Sequence, residues 1–95
     1  MGLSYEDYKA WLSSQPVDQQ TRDDLLEQRA LFDANRDQIK RDFWFHWVGF
    51  VGGELQASGT AHDLFEKAHM RFPGRQLYFE PVGFTATRPF LYEIP

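Results

Sequence analysis

Two histidines and a glutamate at helical spacing are the best candidates for metal chemistry in this sequence. His62, Glu66 and His69 stand at positions i, i+4 and i+7, and imidazole and carboxylate groups are ordinary zinc ligands. Seven residues advance a helix by about 10 Å, too far for His62 and His69 to share one ion without a bend. We therefore interpret the spacing as a solvated helix face, and we predict no metal or cofactor.

His46 is the other candidate for acid–base chemistry. It lies among aromatic residues that could exclude water, where an imidazole can act as a general base or a pH switch. No serine or paired carboxylate stands beside it, and the chain has no cysteine, so nothing nearby completes a catalytic group. The sequence therefore favours a hydrogen-bonded core histidine, and we predict no catalytic residue.

Residues 43–50, Phe-Trp-Phe-His-Trp-Val-Gly-Phe, carry six aromatic or histidine side chains in eight positions. Such rings can stack on nucleic-acid bases, but that function needs clustered Lys and Arg to neutralise phosphates. The formal net charge is −4, and no basic cluster accompanies these aromatics. The composition therefore disfavours nucleic acid and leaves a protein interface, a ligand pocket or a buried strand.

Length and composition limit the fold and the compartment. A chain of 95 residues with 42% hydrophobic content fits one domain around one core. Without cysteine it forms no disulfides and is compatible with a reducing compartment. No run of about 18 apolar residues and no signal-like N-terminus occurs, so we expect a cytoplasmic protein without membrane contact.

The first half of the chain has the pattern of two helices. Residues 1–15 predict a short N-terminal helical arm, in which Ser4 is the cap and Pro16 stops the helix. Its aromatic face comprises Tyr5, Tyr8 and Trp11. Residues 18–41 lack proline and glycine and predict one long helix. Its narrow apolar stripe consists of Leu25, Phe32 and Ile39, spaced seven apart.

Residues 43–58 predict a β-hairpin around Gly52-Gly53, because paired glycines suit a two-residue turn that needs positive φ. This turn sets the register, with Phe50 opposite Leu55. One face of the hairpin would carry Trp44, His46, Val48, Phe50, Leu55 and Ala57, and the other Phe43, Phe45, Trp47, Gly49 and Val51. Both faces are aromatic near residue 43, so we expect the second face to be covered by the N-terminal arm or by a second copy.

The remaining residues predict a helix and further strands. Thr60 caps a helix over residues 61–72, which Pro73-Gly74 terminates. Residues 76–95 predict a strand that Pro81 either breaks or confines to a sheet edge, followed by a tail that adds a fourth strand or a strap. The predicted fold is a small α+β domain with a three- to four-stranded, mainly antiparallel sheet packed with two helices, plus the N-terminal arm.

Residues 26–83 resemble a family of short prokaryotic domains of unknown function. The family pattern is a charged helix, a Trp-Val strand, a glycine turn, a Ser-Gly step and a helix with Asp-Leu near its start. The matching residues here are Trp47-Val48, Gly53-Glu54, Ala57-Ser58-Gly59 and Asp63-Leu64. The resemblance implies a hairpin-plus-helix module and assigns no chemistry.

These observations predict a non-catalytic binding module that recognises a protein partner or itself, with a homodimer as one form. The predicted interface consists of Tyr5, Tyr8, Trp11, Phe43, Phe45 and Trp47. The alternative is a small-ligand or single-stranded nucleic-acid binder that uses the same rings. A third alternative is an enzyme whose site is assembled from residues distant in sequence.

Overall fold

Four helices and three strands make up residues 4–84, which are the residues that the computed structural model describes. The helices are α1 (Tyr5–Ser13), α2 (Gln19–Ala34), α3 (Arg36–Asp42) and α4 (Ala61–Arg71). The strands are β1 (His46–Val51), β2 (Glu54–Ser58) and β3 (Leu77–Val82). They form an antiparallel sheet in the order β2-β1-β3, so the predicted α+β class is confirmed. The fourth strand or strap predicted for the tail lies outside the described residues.

The predicted helix starts are confirmed by their capping hydrogen bonds. The Ser4 hydroxyl accepts from the Asp7 N–H at 3.2 Å, and the Thr60 hydroxyl accepts from the Asp63 N–H at 3.1 Å. Each bond satisfies one of the backbone donors that a helix leaves unpaired in its first turn. The Asp18 carboxylate caps α2 in the same way, accepting from the Thr21 N–H at 2.8 Å.

The prediction of one helix over residues 18–41 was wrong at Asn35, where the backbone leaves helical geometry and α3 begins. The Asn35 side chain donates to the Leu31 carbonyl at 2.8 Å. Asparagine competes with the helix in this way because its short amide reaches nearby backbone groups. The two apolar residues beside the break, Phe32 and Ile39, are both buried in the core.

The hairpin forms in the predicted register, with Phe50 opposite Leu55. Gly52 and Gly53 have φ of 58° and 82°, as a type I′ turn requires. The prediction that the first strand begins at residue 43 was wrong, since β1 begins at His46 and residues 44–45 form a turn. The third strand lies at a sheet edge as predicted, with Pro81 inside it.

The helices cover the two faces of the sheet unequally. On one face, α2 and α3 enclose the main core, which comprises Phe32, Ile39, Val48, Phe50 and Val82. On the other face, α4 lies against β2 and β1, where Leu64 and Val51 are fully buried. The prediction that the N-terminal arm covers this face was therefore wrong, and cover by a second copy stays a prediction. The amphipathic face of α4 fills it, and α1 packs against α2 instead.

Two side chains of α2 connect this helix to two loops, the hairpin turn and the loop between α4 and β3. The Asp24 carboxylate accepts two hydrogen bonds from the Arg75 guanidinium, at 3.0 and 2.8 Å, and one from the Gln76 N–H at 3.1 Å. The fully buried Gln28 side chain donates to Asp24 at 3.1 Å and accepts from the Gly53 N–H at 3.0 Å. These bonds fix the hairpin turn and the α4–β3 loop against one helix.

Candidate binding surface

The six aromatic residues predicted as one interface lie at three separate places. Tyr8 and Trp11 stack on α1, with ring centroids 6.0 Å apart, and Tyr5 is half-buried on the same helix. Tyr8 also meets the ring of Tyr78 edge-on at 5.2 Å. The Arg29 guanidinium lies 5.5 Å from the centre of each of these two tyrosine rings. The aromatic face of the arm therefore packs on the α2 side of the domain.

Phe43 belongs to the core rather than to a shared interface. It is half-buried at the end of α3, packs against the main core and meets the His46 ring at 6.3 Å. The prediction of a buried His46 was wrong, because the strand begins at this residue and its side chain is exposed at the end of the sheet. Its Nδ1 lies 3.0 Å from the Trp44 carbonyl oxygen. That backbone contact offers no acid–base partner.

Trp47 lies on the sheet face opposite the main core and is half-buried there. Its ring meets Phe79 of β3 at 5.8 Å and Phe84 at 5.4 Å. No local sequence pattern predicts that Phe79 and Phe84 lie beside Trp47. The antiparallel pairing of β1 with β3 brings the three rings together across more than 30 residues of sequence.

Exposed rings gather where β1 begins and β3 ends, and we call this group the aromatic end: Trp44, Phe45 and Phe84. Their exposed fractions are 53%, 64% and 36%. The Trp44 and Phe45 rings lie 5.8 Å apart, and the Phe45 N–H donates to the Val82 carbonyl at 2.7 Å. The aromatic end is therefore attached to both strands.

Phe45 has a φ of +67°, the one positive φ outside glycine in the described part of the protein. A non-glycine residue in this region costs of order 1–3 kcal/mol and persists only when its surroundings impose it. Here the hydrogen bond to Val82 and the turn out of α3 impose it. The strained backbone directs a large apolar ring toward water, so burial of that ring does not compensate for the strain.

Trp44 rests on the backbone of Gly83. A Cβ built at Gly83 would come within 2.8 Å of two ring carbons of Trp44, and the φ of Gly83 is +86°. Only glycine combines this backbone conformation with so close an approach. One side of the indole is therefore held by the sheet end, while about half of the side chain remains open to solvent.

A cleft of about 160 Å³ lies beside Trp44, between α3 and the end of β3. Its lining combines apolar and charged residues. The apolar residues are Phe32, Ile39, Trp44, Pro81, Val82 and Gly83, and the charged residues are Arg36, Lys40 and Glu80.

Most of the charge around this cleft is already neutralised. The Arg36 guanidinium donates to the two Glu80 oxygens at 2.8 and 3.0 Å and to Asp33 at 2.6 Å. The Arg29 Nε donates to both Asp33 oxygens, at 3.1 and 3.0 Å. The Tyr78 hydroxyl donates to Glu80. These groups form one connected network between α2, α3 and β3.

Arg36 and Tyr78 hold their protons more strongly in this network than in water. The hydrogen bonds to Glu80 raise the pKa of Arg36 above its ordinary value, against the opposing effect of burial. Burial raises the pKa of Tyr78 far above its ordinary value, and the charge of Glu80 and its hydrogen bond raise it further. Both groups therefore keep their protons, whereas a general base needs a pKa near the working pH.

The predicted metal spacing on α4 does not bring its ligands together. The imidazole of His62 pairs with the Glu66 carboxylate at 3.2 Å on an exposed surface, while His69 lies against the ring of Phe65 at 4.2 Å. Among residues 4–84, no group of three or more His, Asp or Glu side chains is arranged to hold a metal ion.

Comparison of the sequence with protein-family models, with curated proteins and with solved structures found no match. The resemblance of residues 26–83 to a family of short prokaryotic domains therefore stays a prediction. Within residues 4–84, every helix is too short or too polar to cross a lipid bilayer.

Proposed function

We propose that this protein is a non-catalytic module that binds another protein surface through the aromatic end, either on a second copy or on a different protein. The observation that carries the proposal is Phe45, a 64% exposed ring on a left-handed backbone. Strain of this kind is retained where a side chain has a function that folding alone does not require.

The chemistry of the aromatic end fits a protein interface. Trp and Tyr lead among the residues that dominate binding energy at interfaces, and aromatic rings are enriched there generally. The Trp44 ring rests on Gly83 and the Phe45 backbone is hydrogen-bonded to Val82, so the indole and this turn lose little freedom when a partner covers them. The Trp47 ring contacts Phe84 of the aromatic end, and together with Phe79 it extends the apolar surface along β3.

The test replaces Phe45 with asparagine. Asparagine tolerates the left-handed region, so Phe45→Asn removes the ring and relieves the strain without changing the backbone. The matched control is Met70→Gln, because Met70 is 85% exposed and lies on α4 rather than in the turn that carries Phe45. Both variants should melt at or slightly above the wild-type temperature.

Association is measured in two ways. Sedimentation velocity over a range of concentrations reports self-association, and quantitative mass spectrometry of proteins captured from the organism's own extract reports other partners. Loss of one central aromatic anchor of about 2 kcal/mol weakens binding roughly 30-fold. We expect this loss in Phe45→Asn, whereas Met70→Gln should associate as wild type does.

Two results for the variant would reject the proposal. One is association of Phe45→Asn within twofold of wild type, with the fold intact. The other is a large drop in the melting temperature of Phe45→Asn, since the ring would then stabilise the domain rather than serve a partner. The proposal would also be rejected if the wild-type protein does not self-associate and captures no protein that Phe45→Asn fails to capture.

A further inference from the structure

We propose that the cleft beside Trp44 binds a carboxylate of the protein partner, with Lys40 as its counter-charge. This inference rests on the proposed function, because it names the chemistry that the partner presents next to the aromatic end. We assign the carboxylate to a glutamate side chain of the partner, whose apolar stem suits a cleft lined by Trp44 and whose charge suits Lys40.

The balance of charge around the cleft supports an anionic group. Arg29 and Arg36 are matched by Asp33 and Glu80 through the hydrogen bonds described above. Lys40 lines the same cleft, and within residues 4–84 the structure records no ion pair for it. The residues that line the cleft therefore carry one surplus positive charge, which belongs to Lys40.

The carboxylates of Glu80 and Asp33 already accept hydrogen bonds from arginines, which disfavours a cationic ligand. Both oxygens of Glu80 accept hydrogen bonds from Arg36, and one also accepts from the Tyr78 hydroxyl. Asp33 is engaged by Arg29 and Arg36 in the same way. A cation entering the cleft would meet carboxylates whose charge two arginines already balance, and it would be repelled by Lys40, whereas a carboxylate would be attracted to Lys40.

The size of the cleft restricts the ligand to one side chain. Pockets for drug-sized ligands have volumes of roughly 300–1,000 Å³, and this cleft has about 160 Å³. The apolar stem of a glutamate can lie on the open side of the Trp44 ring while its carboxylate reaches Lys40. One lysine suits a singly charged carboxylate better than a phosphate, which proteins hold with several donors or with an arginine fork.

The experiment uses two peptides that differ only in charge, acetyl-Leu-Glu-Leu-amide and acetyl-Leu-Gln-Leu-amide. Each is titrated into the whole ¹⁵N-labelled protein while NMR follows the Trp44 indole N–H and the Lys40 backbone amide. The Glu peptide should shift both signals and bind about fivefold more tightly than the Gln peptide, the upper end for an exposed ion pair. Salt should remove this preference, because it screens exposed charges.

Two variants locate the charge. Lys40→Gln should abolish the preference for the Glu peptide, whereas Arg41→Gln should retain it. Arg41 is the matched control, because it is a neighbouring cation in the last turn of α3 and does not line the cleft. Melting temperatures and the dispersion of the NMR spectra confirm that both variants fold.

The inference is overturned if the two peptides bind equally, or if neither binds with a Kd below about 10 mM. Equal loss of preference in Lys40→Gln and Arg41→Gln also overturns it, since general electrostatics would then explain the binding. If Phe45→Asn loses association but the two peptides bind equally, the proposed function stands and the carboxylate site in the cleft is rejected. Association retained in Phe45→Asn would reject the proposed function whatever the peptides do.

Discussion

Replacing Gly49 with alanine tests whether the central strand needs glycine there. Gly49 lies in β1 between both neighbouring strands, paired with Gln56 and Phe79. An added Cβ would lie 2.5 Å from the Tyr78 carbonyl oxygen and 2.9 Å from both the Leu77 Cδ1 and the Phe79 Cβ. The carbonyl is backbone and cannot rotate away, so β1 and β3 must move apart to admit the methyl group.

The expected cost follows from two opposing effects. Overpacking a tight site destabilises a protein by about 1–3 kcal/mol, and a clash with backbone belongs in the upper half of that range. Alanine in place of glycine also restricts the unfolded state, which stabilises the folded state by about 0.4–1 kcal/mol. The net loss in the free energy of unfolding is about 2 kcal/mol, which lowers the melting temperature of a domain this size by roughly 8–16 °C.

Thermal and urea unfolding, followed by circular dichroism, measure this loss, and Gly59→Ala is the control. Gly59 does not have positive φ, and a Cβ there would meet nothing within 4 Å. The control should therefore be neutral or stabilised by up to about 1 kcal/mol. If Gly49→Ala melts within about 2 °C of wild type, the close approach of β1 to β3 is not what requires glycine.

Two further expectations concern the aromatic end and the loop contacts of α2. Gly83→Ala should destabilise the fold by about 1–2 kcal/mol, because residue 83 has a positive φ and an added Cβ would clash with the Trp44 ring. A change in tryptophan fluorescence should accompany the lower melting temperature. Unchanged fluorescence would contradict the packing of Trp44 on Gly83. The hydrogen bonds from Arg75 hold the pKa of Asp24 below its ordinary value. A carboxyl group with a lowered folded pKa stabilises the fold fully above its unfolded pKa of about 3.9, and this contribution is lost as the pH falls through the lower folded pKa. Stability measured between about pH 6 and pH 2 should therefore fall less steeply in Asp24→Asn and in Arg75→Gln than in wild type, and an unchanged slope in both variants would refute the assignment.

Local chemistry accounts for the elements that the sequence analysis placed correctly. The caps at Ser4 and Thr60 depend on a hydroxyl and an N–H three residues apart, and the hairpin register depends on two adjacent glycines. Pro81 lacks the N–H that a central strand needs, which places β3 at an edge. Each of these signals acts within a few residues of sequence.

The errors occur where a local pattern competes with packing. The apolar run from residue 43 has the composition of a strand, but Phe43 packs on the core at the end of α3, and the next two residues form a turn. The seven-residue spacing in residues 18–41 is continuous, but the side chain of Asn35 interrupts the helix. In both places a tertiary or side-chain contact outweighs the intrinsic preference of the backbone.

The sequence by itself determined the α+β class, the hairpin register and the amphipathic faces of the helices, because periodicity and turn residues act over short distances. Only the tertiary structure decided which helix covers which face and which aromatic rings stay exposed. The aromatic end joins residues 44–45 to the end of β3, and the cleft beside it joins Arg36 to Glu80, 44 positions along the sequence. Contacts at such separations depend on how the strands pair and how the helices pack, and no local pattern in one sequence reports them.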